Sequence, residues 1–136
     1  METEISKEVK RYLERELKDY KNNKKIIEEL RNNIIDSSNS ITLGVPRNPN
    51  QGNEVQTQKV YELMTNTRIT RLENICYHIE KVIENLDIQK YEFYIKCFEK
   101  EHNKIKICMD MPISEKTYYR YKNYIIEKLA EELGFI

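Results

Sequence analysis

"MPISEKTYYRYKNYIIEKL", Met111–Leu129, carries four tyrosines and four cationic side chains behind a single proline, and the division of its residues between two sides decides how the C-terminal part of the chain is read. Ser114 is a good N-cap, because its hydroxyl can accept a hydrogen bond from an amide of the first helical turn. Counted from it, Tyr118, Tyr121 or Lys122, Ile125, Leu129 and Leu133 recur every three to four residues and are expected to pack inward. Glu115, Lys116, Tyr119, Arg120 and Asn123 then point outward. Upstream, Ile107, Cys108 and Met111 place an apolar, a small and an apolar residue on the inner side of a preceding helix, with Cys108 where two helices would approach closely. Pro112 disfavours a helical conformation at Met111, and Ile113 can plug the angle between the helices. Two helices joined in this way form a helix-turn-helix over about residues 102–133, ended by the helix-terminating Gly134.

The outward set has the chemistry of nucleic-acid recognition. Arg and Lys pair with guanine edges or phosphates, Asn with adenine, and tyrosine hydroxyls with phosphate oxygens. Between Ser114 and Tyr124 there are three basic residues and one acidic residue. The competing reading is an ordinary amphipathic helix with its aromatics on the core side; the turn, the cap and the outward bases together favour recognition.

Working back from this stretch, the rest of the chain is also helical in rhythm. "TQKVYELMTNTRITRLENICYHIEKVIENL" spaces Val60, Leu63, Met64, Ile69, Leu72, Ile75, Ile79, Val82, Ile83 and Leu86 as an apolar stripe, with a possible break at Thr65–Thr67, where hydroxyls and amides compete for the helix backbone. Further helices are expected from Gln89 to about Lys100 and from His102 to about Asp110. Near the start, Val9, Tyr12, Leu13, Leu17 and Tyr20 and then Ile26, Ile27, Leu30 and Ile34 predict two helices, or one broken near Asn22. Between them and the middle block lies "DSSNSITLGVPRNPNQGNEVQ", which holds two of the three glycines and two of the three prolines and reads as a flexible linker. The expected organisation is an N-terminal helical region over 1–35, a linker over 36–56 and a helical domain over 57–136.

Composition agrees with an all-α fold. Glycine and proline are scarce, and with 23 basic and 23 acidic residues in 136 the chain is formally neutral, so any affinity for nucleic acid must come from local patches. Cys76, Cys97 and Cys108 are odd in number and far apart, and no apolar leader or membrane span is visible, which predicts a reducing cytoplasm. The cysteines read as buried packing residues. Cys76, His78, Cys97 and His102 are a conceivable zinc set, but Cys76 and His78, two apart on a helix, face different sides. No metal, cofactor or catalytic residue is expected: there is no GxxxxGK, HExxH or GxSxG motif.

Three blocks, "VKRYLERELKDYKNNKKIIEELRNNII", "TNTRITRLENICYHIEKVIENL" and "ISEKTYYRYKNYIIEKLAEELG", taken in this order, resemble the RinA/ArpU-like family of phage transcriptional regulators, and the last block is the most specific. The resemblance implies a DNA-binding activator of late phage genes with a C-terminal helix-turn-helix similar to region 4 of sigma factors. Carried onto matching positions, it implies Lys116, Thr117, Tyr119, Arg120 and Asn123 as DNA-contacting residues, with Ile107, Cys108, Met111, Ile113, Tyr118 and Ile125 as the core of the motif. It also implies double-stranded promoter DNA and host RNA polymerase as partners and the bacterial cytoplasm as location. The sequence departs from the family pattern in "HNKIKICMDM", which is lysine-rich where a large residue followed by acids is common. The N-terminal helices are expected either to pair two copies or to fold back on the segment Ile69–Leu86. The alternatives to a regulator are a small terminase-like packaging protein that binds DNA through the same motif, and a helical interaction protein that binds no DNA.

Overall fold

The computed structural model describes residues 5–42 and 51–136, with side chains described outside 34–42 and 51–56. The described residues contain helices and no strands. These are α1 (Lys7–Thr42), α2 (Gln51–Glu84), α3 (Ile88–Tyr94), which runs on into a π-helical turn (Ile95–Glu99), α4 (Lys104–Asp110) and α5 (Glu115–Leu133). The chain is all-α, as expected. Of the linker expected over 36–56, residues 43–50 lie outside the described residues.

Two expected interruptions are absent. Helix α1 runs through Asn22, and the side chain of the next residue, Asn23, is buried. Helix α2 runs through Thr65–Thr67. The reason is local: the hydroxyls of Thr67 and Thr70 donate to the carbonyls of Leu63 and Asn66 at 2.9 Å, four residues back, so they bond along the helix instead of opening it.

The chain divides into two compact units, one made of residues 1–21 and 75–136, the other of residues 22–74. In the second, Ile27, Ile69 and Leu72 are buried together with Asn23 and Thr65, and Arg31 pairs with Glu73. The apolar stripe expected along α2 is only partly internal. Ile69 and Leu72 are buried, but Val60, Leu63 and Met64 are 55%, 67% and 68% exposed.

The first unit holds most of the core. Leu13 and Leu17 of α1, Ile75, Cys76, Ile79 and Val82 of α2, Phe93 and Tyr94 of α3, and Ile125, Ile126, Leu129 and Ala130 of α5 are all buried. Tyr20 donates to Glu80 Oε1 at 2.6 Å, which ties α1 to the end of α2. Short helices need local help because few internal hydrogen bonds offset their nucleation cost, and each here has a side-chain cap. Asp87 accepts from the Lys90 amide and Asn103 from the Lys106 amide, both at 2.8 Å. Helix α5 ends on left-handed Gly134 (φ 83°), where Phe135 N donates to Ala130 O at 2.9 Å and Gly134 N to Glu131 O at 3.2 Å, closing the last carbonyls.

The α-helix expected to run to about Lys100 instead widens after Tyr94. Lys100 N donates to Ile95 O at 2.9 Å, five residues back, and His102 N to Lys96 O at 3.0 Å. This turn buries Cys97 and Phe98 and delivers the chain to the Asn103 cap of α4.

Candidate nucleic-acid interface

Helix α4 ends at Asp110, Met111 follows at φ −102° and ψ 10°, and Ser114 caps α5 by accepting from the Thr117 amide at 3.1 Å. The Ser114 hydroxyl also donates to Thr117 Oγ1 at 3.0 Å, so Thr117 is partly occupied by the turn itself. Ile107 of α4 and Ile125 and Tyr118 of α5 are buried. Met111, Ile113 and Cys108 are half-buried. The cysteine that packs directly on α5 is Cys97, its Sγ 4.0 Å from the Tyr118 hydroxyl. Burial pushes the Cys97 thiol and the Tyr118 phenol above their ordinary pKa values, so both stay neutral.

The tyrosines of α5 divide by side. Tyr118 and Tyr121 meet Phe93 edge to face at 5.3 and 5.7 Å, and the Tyr121 hydroxyl donates to Gln89 Oε1 at 3.1 Å. Tyr119 is 45% exposed. Tyr124 is half-buried beneath two ammonium groups, Lys90 at 4.8 Å and Lys128 at 5.4 Å from its ring. Lys122, which could have packed inward, instead reaches α1, its Nζ 2.9 Å from Glu14 Oε1.

Lys116, Tyr119 and Arg120 stand together on the exposed side of α5, with Asn123 half-buried beside them. The structure adds Lys104 of α4 to this group. Its ammonium lies 2.6 Å from Glu115 Oε1, donates to the Tyr119 hydroxyl at 3.3 Å and sits 5.3 Å from the Tyr119 ring. These hydrogen bonds raise the Lys104 pKa. Tyr119 is thus held from α4, which no spacing rule along α5 reveals; the available signal was the lysine-rich "HNKIKICMDM". Burial, reinforced by the charges of Lys106 and Lys100, lowers the pKa of His102, which marks the approach to α4 as cationic.

The residues weighed as zinc ligands have other neighbours. His78 Nδ1 is 3.0 Å from Glu132 Oε2, and Cys97 faces Tyr118. Among the described residues no three His, Cys, Asp or Glu side chains gather in ligand geometry, and no helix is long and apolar enough to cross a membrane.

Fold and site together define an all-α protein whose capped final helix exposes a basic and aromatic side next to a lysine-bearing short helix. Over 131 residues, 91% of this chain and 89% of the other, the sequence is 34% identical to the transcriptional activator rinA of Staphylococcus phage phi11. The chain belongs to the RinA-like family of phage transcriptional activators. No protein-family model matches it, and no solved structure does.

Proposed function

We propose that the protein is a sequence-specific DNA-binding activator of phage late genes, acting through α4 and α5 as a helix-turn-helix similar to region 4 of sigma factors. What carries this reading is that the identity to a transcriptional activator extends across the segment in which Lys116, Tyr119 and Arg120 share one exposed side. In it, α5 enters the major groove of promoter DNA, Arg120 and Asn123 read base edges, and Lys116, Thr117 and Tyr119 hold phosphates. It acts without a cofactor, in the cytoplasm of the bacterial host, and contacts host RNA polymerase. Pairing of two copies through the N-terminal helix would have to use residues other than Leu13, Leu17 and Ile27, which are 0%, 1% and 8% exposed and have no apolar surface left for a partner.

The test is a gel-shift titration with phage promoter fragments against shuffled DNA, followed by transcription with purified polymerase. Preference for the promoter together with stimulated transcription is expected. Binding without stimulation points to a packaging protein, and no binding points to a helical interaction protein. Arg120→Ala weakens promoter binding by about 1–3 kcal/mol and lowers the preference over shuffled DNA; equal binding by variant and parent rules Arg120 out as a reader.

A further inference from the structure

Helix α1 brings a second set of cationic residues beside α5 and the turn that leads into α4. Over Lys7–Lys21 it carries six cations and four carboxylates in a chain that is neutral as a whole. Two other segments share the bias: Lys96–Lys106 has four lysines and two glutamates, and Ser114–Tyr124 has three bases and one acid. Ion pairs draw the three segments together. Glu14 joins Lys122 at 2.9 Å, Lys21 joins Glu99 at 3.1 Å, and Lys18 reaches Glu101 at 4.0 Å.

Along this edge lies an open cleft of about 440 Å³ lined by Arg11, Glu14, Arg15, Lys18, Asp19 and Glu101. Its lining holds three cations and three carboxylates, and none of Arg11, Arg15 and Asp19 is paired within it. Glu14 is taken by Lys122 and by Lys18, the latter at 3.3 Å, and Glu101 is within reach of Lys18. Arg11 and Arg15, four residues apart and so on one side of the helix, are exposed and form no ion pair with any described residue. Two guanidinium groups one turn apart match a phosphodiester, which accepts their paired N–H groups in bidentate fashion.

We propose that Arg11 and Arg15 grip the DNA backbone beside the site read by α5, making α1 a second phosphate-contacting element. The inference rests on the DNA-binding reading above. A duplex is favoured over an acidic protein surface because its regular charge can meet all three cationic segments at once, whereas an acidic peptide would satisfy only one.

The experiment measures affinity against salt concentration for the full chain on a duplex selected from the phage genome by the parent protein, and on the same duplex shuffled. Each lost phosphate contact lowers the slope of log affinity against log salt by about 0.9. Arg11→Gln with Arg15→Gln should therefore lower it by roughly 1.8 on both duplexes and leave their affinity ratio unchanged. The paired Lys substitutions should restore most of the slope. Glutamine is a comparable helix former at exposed positions, so thermal unfolding of the variant should match the parent. An unchanged slope in a folded double Gln variant overturns the inference while parent binding upholds the DNA reading. Failure of the parent to bind either duplex overturns both. An unchanged slope with reduced transcription in the purified polymerase assay places the arginines against protein and also overturns the inference.

Discussion

Helix α5 and the part of α2 between Thr57 and Asn74 have similar apolar spacing but differ in what that spacing buries. On α5, Tyr118, Ile125 and Leu129 are all buried, and Ile126 and Ala130 join them. On α2, Val60, Leu63 and Met64 continue the rhythm of Ile69 and Leu72 yet remain more than half exposed. A stripe records where a helix can bury surface; only a neighbour buries it. Helix α5 has such neighbours, with Phe93 of α3 on one side, Ile107 of α4 on another, and a glutamate of α1 meeting Lys122. The caps at Ser114 and Gly134 set its ends, so the register of its faces is fixed from both directions.

The largest expected effect is at the junction of α3 and α5. Phe93 is fully buried and meets two tyrosine rings of α5, so Phe93→Ala should lower stability by about 3–5 kcal/mol in urea unfolding. A loss under 1 kcal/mol would mean that α3 does not support α5. Next comes a matched pair. Leu129→Ala, at a fully buried position, should lose about 2–5 kcal/mol, whereas Leu63→Ala, at a 67% exposed position, should stay within about 0.5 kcal/mol. Equal losses would erase the contrast between the two helices.

Ser114→Ala removes the oxygen that accepts from the Thr117 amide and should cost about 1 kcal/mol; an unmoved urea midpoint would show that the turn needs no cap. The smallest effect concerns Glu14. Burial pushes its pKa up, but the hydrogen bond and charge of Lys122, with help from Lys18, outweigh burial and hold it below the ordinary 4.5. A depressed folded pKa contributes stability that is present above the unfolded value and lost as the pH falls through the folded one. Lys122→Met should remove less than about 1 kcal/mol at neutral pH and flatten the stability curve below pH 4.5. A curve that keeps the parent's shape would show that Lys122 does not govern Glu14.

The same logic separates what was legible at the site. The exposed positions of Lys116, Tyr119 and Arg120 follow from counting around a helix whose start Ser114 announces. The partner of Tyr119 does not follow, because Lys104 lies fifteen residues away and its approach depends on the π-helical turn and the Asn103 cap that aim α4. Nor could counting choose between Tyr121 and Lys122 as inward residues. Tyr121 meets Phe93 because α3 lies there, and Lys122 is drawn to Glu14 because α1 passes beside it.

Residue spacing and scarce glycine and proline by themselves determined that the chain is all-α, that α5 begins after Ser114 and ends at Gly134, and which of its faces is polar. These are local properties, set by backbone preference and side-chain periodicity within a few turns. The exposure of Val60, Leu63 and Met64 and the gathering of Arg11, Lys104 and Arg120 in one unit were decided only by tertiary structure. Burial and ion pairing depend on which distant segment arrives at a surface, and one helix's sequence does not encode its neighbour.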